Sequence, residues 1–519
     1  MEKPEPPEET KKPFGSIALS LSGGGYRAAA FHLGTMDLLD RLNLLQDVTM
    51  LSTVSGGTLA GARYVLSLKS QTPFKTFFRE FRDFLRDKDL LKLGLEELSR
   101  LKPLPTSPRC SLIRAFAEVY DRHLFAGERF KILWEQPEIH LKEITFNATE
   151  FRTGVAFRFR KSENPLAKIG NGNCPITAAQ AMQARLADIT AASSCFPGGF
   201  EPIAFPDDFD WPETEAGQAA WRELHDQFQP PLPLMDGGVF DNQGIESLLL
   251  ASGEPPDNFG MFIFSDTHLA SEALYEFPAA KRAGWLTLGG LKVIWWLLMI
   301  LAVICLTAAA AFLGTGLSPW QELSYLLTLL MSGGVLALLI WARVTIARYL
   351  ERIPKLKQAA WRYFRKLTLL QVADMVHLRV SSLFALAGDV FMKRIRRLVF
   401  DQVFKDERFR NKLVPNLIYS LAEGKQTAPP LDWLQPSEPM RQVVAAANAM
   451  PTTLWFEQPQ QLRDLVACGQ ITTCYNLLAH IVRMHGPDPA LYSGPVRKLY
   501  EKAREHFQAL KANPYALSD

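Results

Sequence analysis

Apolar positions in the first half of the chain recur in two rhythms. Short runs at residues 17–21, 50–54, 144–148, 155–159 and 261–264 are too brief for helices and rich in β-branched and aromatic side chains, which predicts strands. Between them, residues 28–42, 58–68, 74–85, 110–120 and 175–193 read as amphipathic stretches at helical spacing. Strands alternating with helices are the order of an α/β domain with a largely parallel sheet, because each parallel neighbour needs a crossover. The pattern predicts one such domain over residues 15–280.

A different pattern begins at residue 293. Residues 293–313 hold no charged side chain, and after a polar link at 314–322 a second uncharged run covers 323–342. Each run is about 20 residues, the length at which a helix crosses a hydrocarbon core of about 30 Å. The link carries no Lys or Arg. Lys281, Arg282 and Lys292 precede the pair, and Arg343, Arg348, Arg352, Lys355 and Lys357 follow it. By the positive-inside rule, both chain ends and the α/β domain are then cytoplasmic. Trp295, Trp296, Trp320 and Trp341 sit near the run ends, where amphipathic rings favour the headgroup region. The expectation is a multi-pass membrane protein with a two-helix transmembrane hairpin over 285–350. A buried hairpin of a large soluble protein is the competing reading. From 355 to 519 the chain reads as a helical region, with a Pro-rich break at 428–439 and a last amphipathic helix near 496–510.

Charge narrows the function classes. The 519 residues carry 57 Lys+Arg against 54 Asp+Glu, a net +3, which is far from the basic surface that neutralises nucleic-acid phosphates. Nucleic acid is therefore excluded as the expected partner. Cys110, Cys174, Cys195, Cys305, Cys468 and Cys474 are scattered, without the paired spacing of a zinc site or the density of a disulfide scaffold, and read as reduced thiols. Residues 1–14 open on Pro, Glu and Lys with no apolar core, and read as a mobile arm and not a secretory signal. Acidic clusters with calcium-loop spacing and His pairs with metal-ligand spacing are absent from the sequence, so no metal and no cofactor are expected.

Three motifs carry chemistry. In the stretch from Ser20 to Ala28 an apolar strand meets Gly23, Gly24 and Gly25, and a helix follows. Glycines there let backbone N–H groups at a helix start point at an anion. The anion could be a dinucleotide pyrophosphate, since Gly23-x-Gly25-x-x-Ala28 fits the relaxed dinucleotide fingerprint, or the oxyanion of a tetrahedral intermediate. Next, the strand at 50–54 runs into Ser55, Gly56 and Gly57 before another helix, the strand-turn-helix of a nucleophile elbow, with Thr53 where such elbows often carry Gly. A serine capping a helix beside a plain turn is the simpler alternative for this stretch taken alone. The dinucleotide reading needs an acidic residue at that strand end to hold the ribose, and the strand ends instead at Thr53-Val54-Ser55. Last, Asp236-Gly237-Gly238-Val239-Phe240-Asp241-Asn242 follows an apolar stretch and offers a carboxylate as base, though Asp-Gly is also a common turn.

Together, Gly-Gly-Gly-Tyr-Arg at 23–27, Ser-Gly-Gly at 55–57 and the Asp-Gly-Gly stretch from Asp236 resemble the patatin-like phospholipase family, in family order. The segment from Ala191 to Pro202 is similar to the one preceding the Asp-Gly strand in that family. The resemblance covers Ile17 to about Asp266 well and Met450 to Cys474 more faintly. It implies a three-layer α/β/α fold with Ser55 as nucleophile and Asp236 as base. Gly24 and Gly25 would supply oxyanion-hole amides shaped by Gly23 and Arg27, with Gly57, Gly237 and Gly238 supporting the turns. Ala28, where a further glycine often stands, and the apolar hairpin depart from the family, and the hairpin would bring the site beside its lipid supply.

The implied activity is hydrolysis of fatty-acyl esters of membrane glycerophospholipids through a Ser-Asp dyad and an acyl-enzyme, independent of calcium. His268, just after the strand at 261–264, keeps a Ser-Asp-His triad open. The alternatives are a neutral-lipid or lysophospholipid esterase or acyltransferase, and a non-catalytic membrane-anchored module in which the basic stretches Arg343–Lys357 and Lys393–Arg397 hold anionic headgroups. The expected partners are the membrane phospholipid and the bilayer. A homo-oligomer or a regulatory partner stays open, and the hazard of an enzyme able to attack its own membrane calls for some control.

Overall fold

The computed structural model describes residues 12–252, 258–268, 284–312, 318–351, 365–386, 390–422 and 431–518. The expected mobile arm lies outside them up to residue 11. The chain divides into two compact units, Met1–Glu272 with Val390–Asp519, and Ala273–Asp389.

The first unit is built on a ten-stranded sheet: β1 (Ile17–Leu21), β2 (Val48–Val54), β3 (Glu143–Glu150), β4 (Val155–Lys161), β5 (Ile169–Gly170), β6 (Pro175–Ile176), β7 (Ile203–Phe205), β8 (Leu232–Asp236), β9 (Met261–Asp266) and β10 (Leu413–Leu417). The order is β10-β9-β1-β2-β3-β4-β5-β6, with β8 also on β3 and β7 on β8. The strands from β10 to β3 run parallel, while β4 and β8 run antiparallel to β3. One register decides the site. β4 occupies one edge of β3 along Ile144–Glu150, so β2 and β8 share the other. β2 ends with Val54 opposite Asn147, and β8, arriving from the opposite direction, ends with Asp236 opposite Ala148. Two strand ends thus meet head to head on neighbouring residues of β3.

Both faces of the central strands are covered, which is why β1 reads as an apolar run and not as an alternation. Leu19, Leu51 and Ile263 enter a large core on one face, and Ala18, Met50, Phe262 and Phe264 a smaller one on the other. The large core includes α1 (Gly25–Arg41), α2 (Gly56–Lys69) and α3 (Leu186–Ser194), and the small one includes α4 (Ile245–Ser252). The expected helices at 28–42, 58–68, 74–85 and 110–120 are present as α1, α2, Phe74–Asp87 and Leu112–Tyr120. The stretch at 175–193 is a correction. It holds β6, a short helix Ala178–Gln183 capped by Thr177, then α3. The break falls at Ala184 and Arg185, both extended; the Ala184 carbonyl accepts from the Phe130 amide, and the Leu186 amide donates to the Glu128 carbonyl. Arg185 there buries its guanidinium against Glu118 and Asp188. A buried charge with two carboxylate partners outweighs continued helix periodicity.

The second unit contains α5 (Leu288–Phe312) and α6 (Pro319–Glu351), packed together, at the two uncharged runs. In their most apolar stretches only 11% and 6% of residues are buried. At one end of the pair the Arg343 guanidinium lies 5.0 Å from the Trp295 ring and 5.6 Å from Trp296.

Residues 390–518, within the stretch expected as a helical C-terminal region, pack with the first unit. α7 (Phe391–Lys405) packs Val399, Phe400 and Val403 into the smaller core, and β10 extends the sheet beyond β9. α8 (Pro459–His485) is also long and apolar enough to cross a membrane, but 89% of its apolar stretch is buried, against α1 above all. Gly34 and Gly469 permit that approach: a Cβ on Gly34 would collide with the Val466 carbonyl, and one on Gly469 with the Phe31 carbonyl. The last helix, α9 (Gly494–Ala512), matches the amphipathic expectation. At the Pro-rich break, residues 428–430 lie outside the described residues, and Pro439 stands in the first turn of the helix Glu438–Ala449, where its missing N–H costs nothing.

Candidate active site

Ser55 occupies the turn between β2 and α2 with φ 52° and ψ −118°, a conformation rare for any residue with a side chain. The turn is tight because α2 folds back directly over β1. A Cβ on Gly57 would strike the Leu21 carbonyl, and one on Gly56 the Gly25 carbonyl. Gly56 presses the elbow onto the glycine turn, a role that spacing alone did not single out. Ser55 is 8% exposed.

Asp236 ends β8 across from this turn. Its carboxylate accepts a hydrogen bond of 2.7 Å from the Gly238 amide. Its own amide donates to the Cys195 carbonyl at 2.9 Å, and its carbonyl accepts from Thr149 Oγ1 at 2.8 Å. Burial pushes the carboxyl up to about 6, while the nearby Ser55 side chain and the Gly238 amide pull the other way. Gly237 packs on the Asn147 carbonyl, and a Cβ on Gly238 would stand 2.5 Å from Asn242 Oδ1, so neither position accepts a side chain.

The glycine turn lies against the same serine. A Cβ on Gly23 would stand 3.1 Å from the Ser55 Cβ, and the Gly23 amide is occupied, donating to the Asn242 carbonyl at 2.9 Å. Among the described residues the amides of Gly24 and Gly25 have no internal acceptor. Their φ values of 142° and 57° are open to glycine and strained for other residues. Arg27, two residues on, donates from Nη1 to the Met450 carbonyl at 2.7 Å and is buried. The Thr453 carbonyl accepts from the Tyr26 amide at 2.9 Å and stands 2.5 Å from where a Gly25 Cβ would be. A segment more than 400 residues downstream therefore walls the turn.

Sequence reasoning missed two supporting residues. Ser193, in α3, accepts the Ser55 amide at 3.1 Å, lies 2.8 Å from Thr58 Oγ1 and donates to the Asn147 carbonyl at 2.6 Å. Its own carbonyl accepts from the Gly237 amide at 3.3 Å. One side chain thus ties the elbow, α2 and β3 together, and its backbone reaches the Asp236 turn. Its signal was its place in the Ala191–Pro202 segment. His32, on α1, is held neutral by burial, its ring pushed down to about 4. Nε2–H then donates to the Ser22 carbonyl at 2.9 Å, and Nδ1 accepts from the Ser265 hydroxyl at 2.9 Å, bracing the strand end before the glycines.

His268 does not bridge the pair. Its amide donates to Asp266 Oδ1 at 3.0 Å, and Arg396 pairs with the same carboxylate at 3.3 Å. Among the described residues no three His, Cys, Asp or Glu side chains converge as a metal site.

An α/β sheet that brings a strained serine, a buried carboxylate and two unoccupied amides to its strand ends is of the hydrolase kind. Residues 19–249, a little under half of the chain, match the patatin-like phospholipase family. No curated protein matches the chain. Among solved structures it is similar to human GIVD cytosolic phospholipase A2, with 14% identity and a TM-score of 0.29 over 48% of this chain and 45% of that one. The chain thus spans less than half the length of that relative.

Proposed function

We propose that this protein is a serine acyl hydrolase of membrane glycerophospholipids, working through a Ser55–Asp236 dyad and held in the bilayer by α5 and α6. The observation that carries the reading is the register that ends β2 and β8 on neighbouring residues of β3 and so brings the buried carboxylate of Asp236 to the Ser55 turn. Asp236 takes the hydroxyl proton as Ser55 Oγ attacks the acyl carbonyl, and the negative oxygen of the tetrahedral intermediate accepts from the Gly24 and Gly25 amides. Each such donor is worth about 3 kcal/mol in comparable sites. Collapse breaks the ester bond, the alcohol leaves with the proton from Asp236, and the acyl group stays on Ser55. Water, deprotonated by Asp236, then releases the fatty acid and restores the serine.

The exposed apolar surface of α5 and α6 supports a membrane hairpin, as does the stacking of Arg343 on Trp295 and Trp296, a pairing suited to the headgroup zone. Buried α8 shows the contrast expected of a core helix with similar composition.

The test is fatty-acid release from phospholipid vesicles holding the full chain, under chelator. The parent releases fatty acid. Ser55→Ala and Asp236→Asn lose release by a factor of roughly a thousand or more, and His268→Ala keeps it. Release that survives Ser55→Ala overturns the proposal, and loss in His268→Ala replaces the dyad by a triad.

A further inference from the structure

The basic stretch at 393–397 stands on the helix α7, whose two faces differ. On the inner face Val399, Phe400 and Val403 lie in the smaller core and Arg396 pairs with Asp266 at 3.3 Å, so the helix is fixed to the hydrolase unit. On the outer face Phe391 is 53% and Leu398 51% exposed, with Arg394 and Arg397 exposed beside them. Residues 391, 394 and 398 share one side of a helix, with 397 next to it. Among the described residues no carboxylate pairs with Lys393, Arg394 or Arg397.

The position is also specific. Asp266 ends β9, and the next residue, Thr267, donates its hydroxyl to the Gly23 carbonyl at 3.1 Å. His268, which follows, is held down to about 4 first by burial and then by the positive charges of Arg396, Lys393 and Arg27. The base of α7 therefore borders the strand ends that carry the glycine turn. Unpaired cations interleaved with exposed apolar side chains complement an anionic lipid surface: guanidinium groups meet phosphates while Phe and Leu enter the headgroup boundary.

We propose that α7 is an interfacial docking helix that seats the hydrolase unit on anionic bilayer surface through Phe391, Arg394, Arg397 and Leu398. This rests on the lipid-hydrolase reading, and the test separates the two.

The full chain is reconstituted in phosphatidylcholine vesicles with or without phosphatidylglycerol, each holding the same labelled phosphatidylcholine tracer. The parent hydrolyses the tracer faster when phosphatidylglycerol is present. Arg394→Gln/Arg397→Gln loses that gain by up to roughly fivefold per arginine, and high salt removes it from the parent. Turnover of a short-chain water-soluble ester in detergent stays at the parent level, which shows that the variant is folded. A parent rate indifferent to phosphatidylglycerol, or a double variant that keeps the gain, overturns the docking helix. Equal losses by the variant in neutral and anionic vesicles overturn it too, and point to a protein contact. Tracer release that persists in Ser55→Ala defeats the hydrolase reading and leaves the docking result to be judged by vesicle composition alone.

Discussion

Ser193 makes no contact with a reacting atom in the proposed scheme, yet its hydroxyl accepts the Ser55 amide and bonds Thr58 and the Asn147 carbonyl. Ser193→Ala leaves the Ser55 amide without that acceptor, and a buried unsatisfied donor costs about 1–3 kcal/mol. If the loss falls on the elbow, kcat drops roughly tenfold or more while KM changes little, because the groups that bind the ester stay in place. A fall in Tm with unchanged kcat would mark Ser193 as purely structural. In the proposed dyad Asp236 sets the pH dependence. As base it acts ionised, so kcat/KM for a soluble ester rises with pH and levels off above about 6. The sign for stability is opposite. Asp236 is raised above its usual value, so the folded chain holds a proton that the unfolded chain has lost between about pH 4 and about 6. The stability this proton contributes is complete at low pH and lost as pH rises through about 6. Asp236→Asn therefore gains Tm relative to the parent near pH 8 more than near pH 4, while abolishing turnover. A pH-independent Tm difference contradicts this.

At the scale of elements, the crossing of α1 and α8 depends on Gly34 and Gly469, where each helix backbone touches the other. Gly469→Leu drives a side chain into the Phe31 carbonyl and forces apart the helix that follows the glycine turn. The expected loss is about 3 kcal/mol in denaturant unfolding, with activity falling in parallel. Gly172→Ala, which meets nothing within 4 Å, is the matched control and leaves the midpoint unchanged. A tolerated Gly469→Leu would mean that the helices do not cross so closely. The same close packing explains why α8, apolar and 27 residues long, belongs to the core while α5 and α6 do not. Length and composition are shared, and the difference lies in whether a second surface covers the helix.

At the scale of the whole molecule, a chain that crosses the bilayer through α5 and α6 stays with membranes under alkaline carbonate, which strips proteins held by charge alone. Recovery in the supernatant would leave the two helices to some other apolar cover. Much was legible along the chain by itself. The strands at 17–21, 50–54 and 261–264, the helices after the two glycine turns, and the uncharged runs all follow from local periodicity and composition, which neighbours in sequence impose directly. Ser55 and Asp236 were also nameable, because their motifs together resemble those of the patatin-like phospholipase family. Tertiary structure alone decided that they meet: β2 and β8 come head to head only because both pair with one edge of β3, and no periodicity encodes a register between strands about 180 residues apart. It also decided that β10, α7, α8 and the Thr453 carbonyl complete the first unit from beyond the uncharged runs, and that Arg185 breaks a helix. These depend on which buried surfaces and charges find partners across long loops, a property of packing that a chain's local pattern constrains but does not contain.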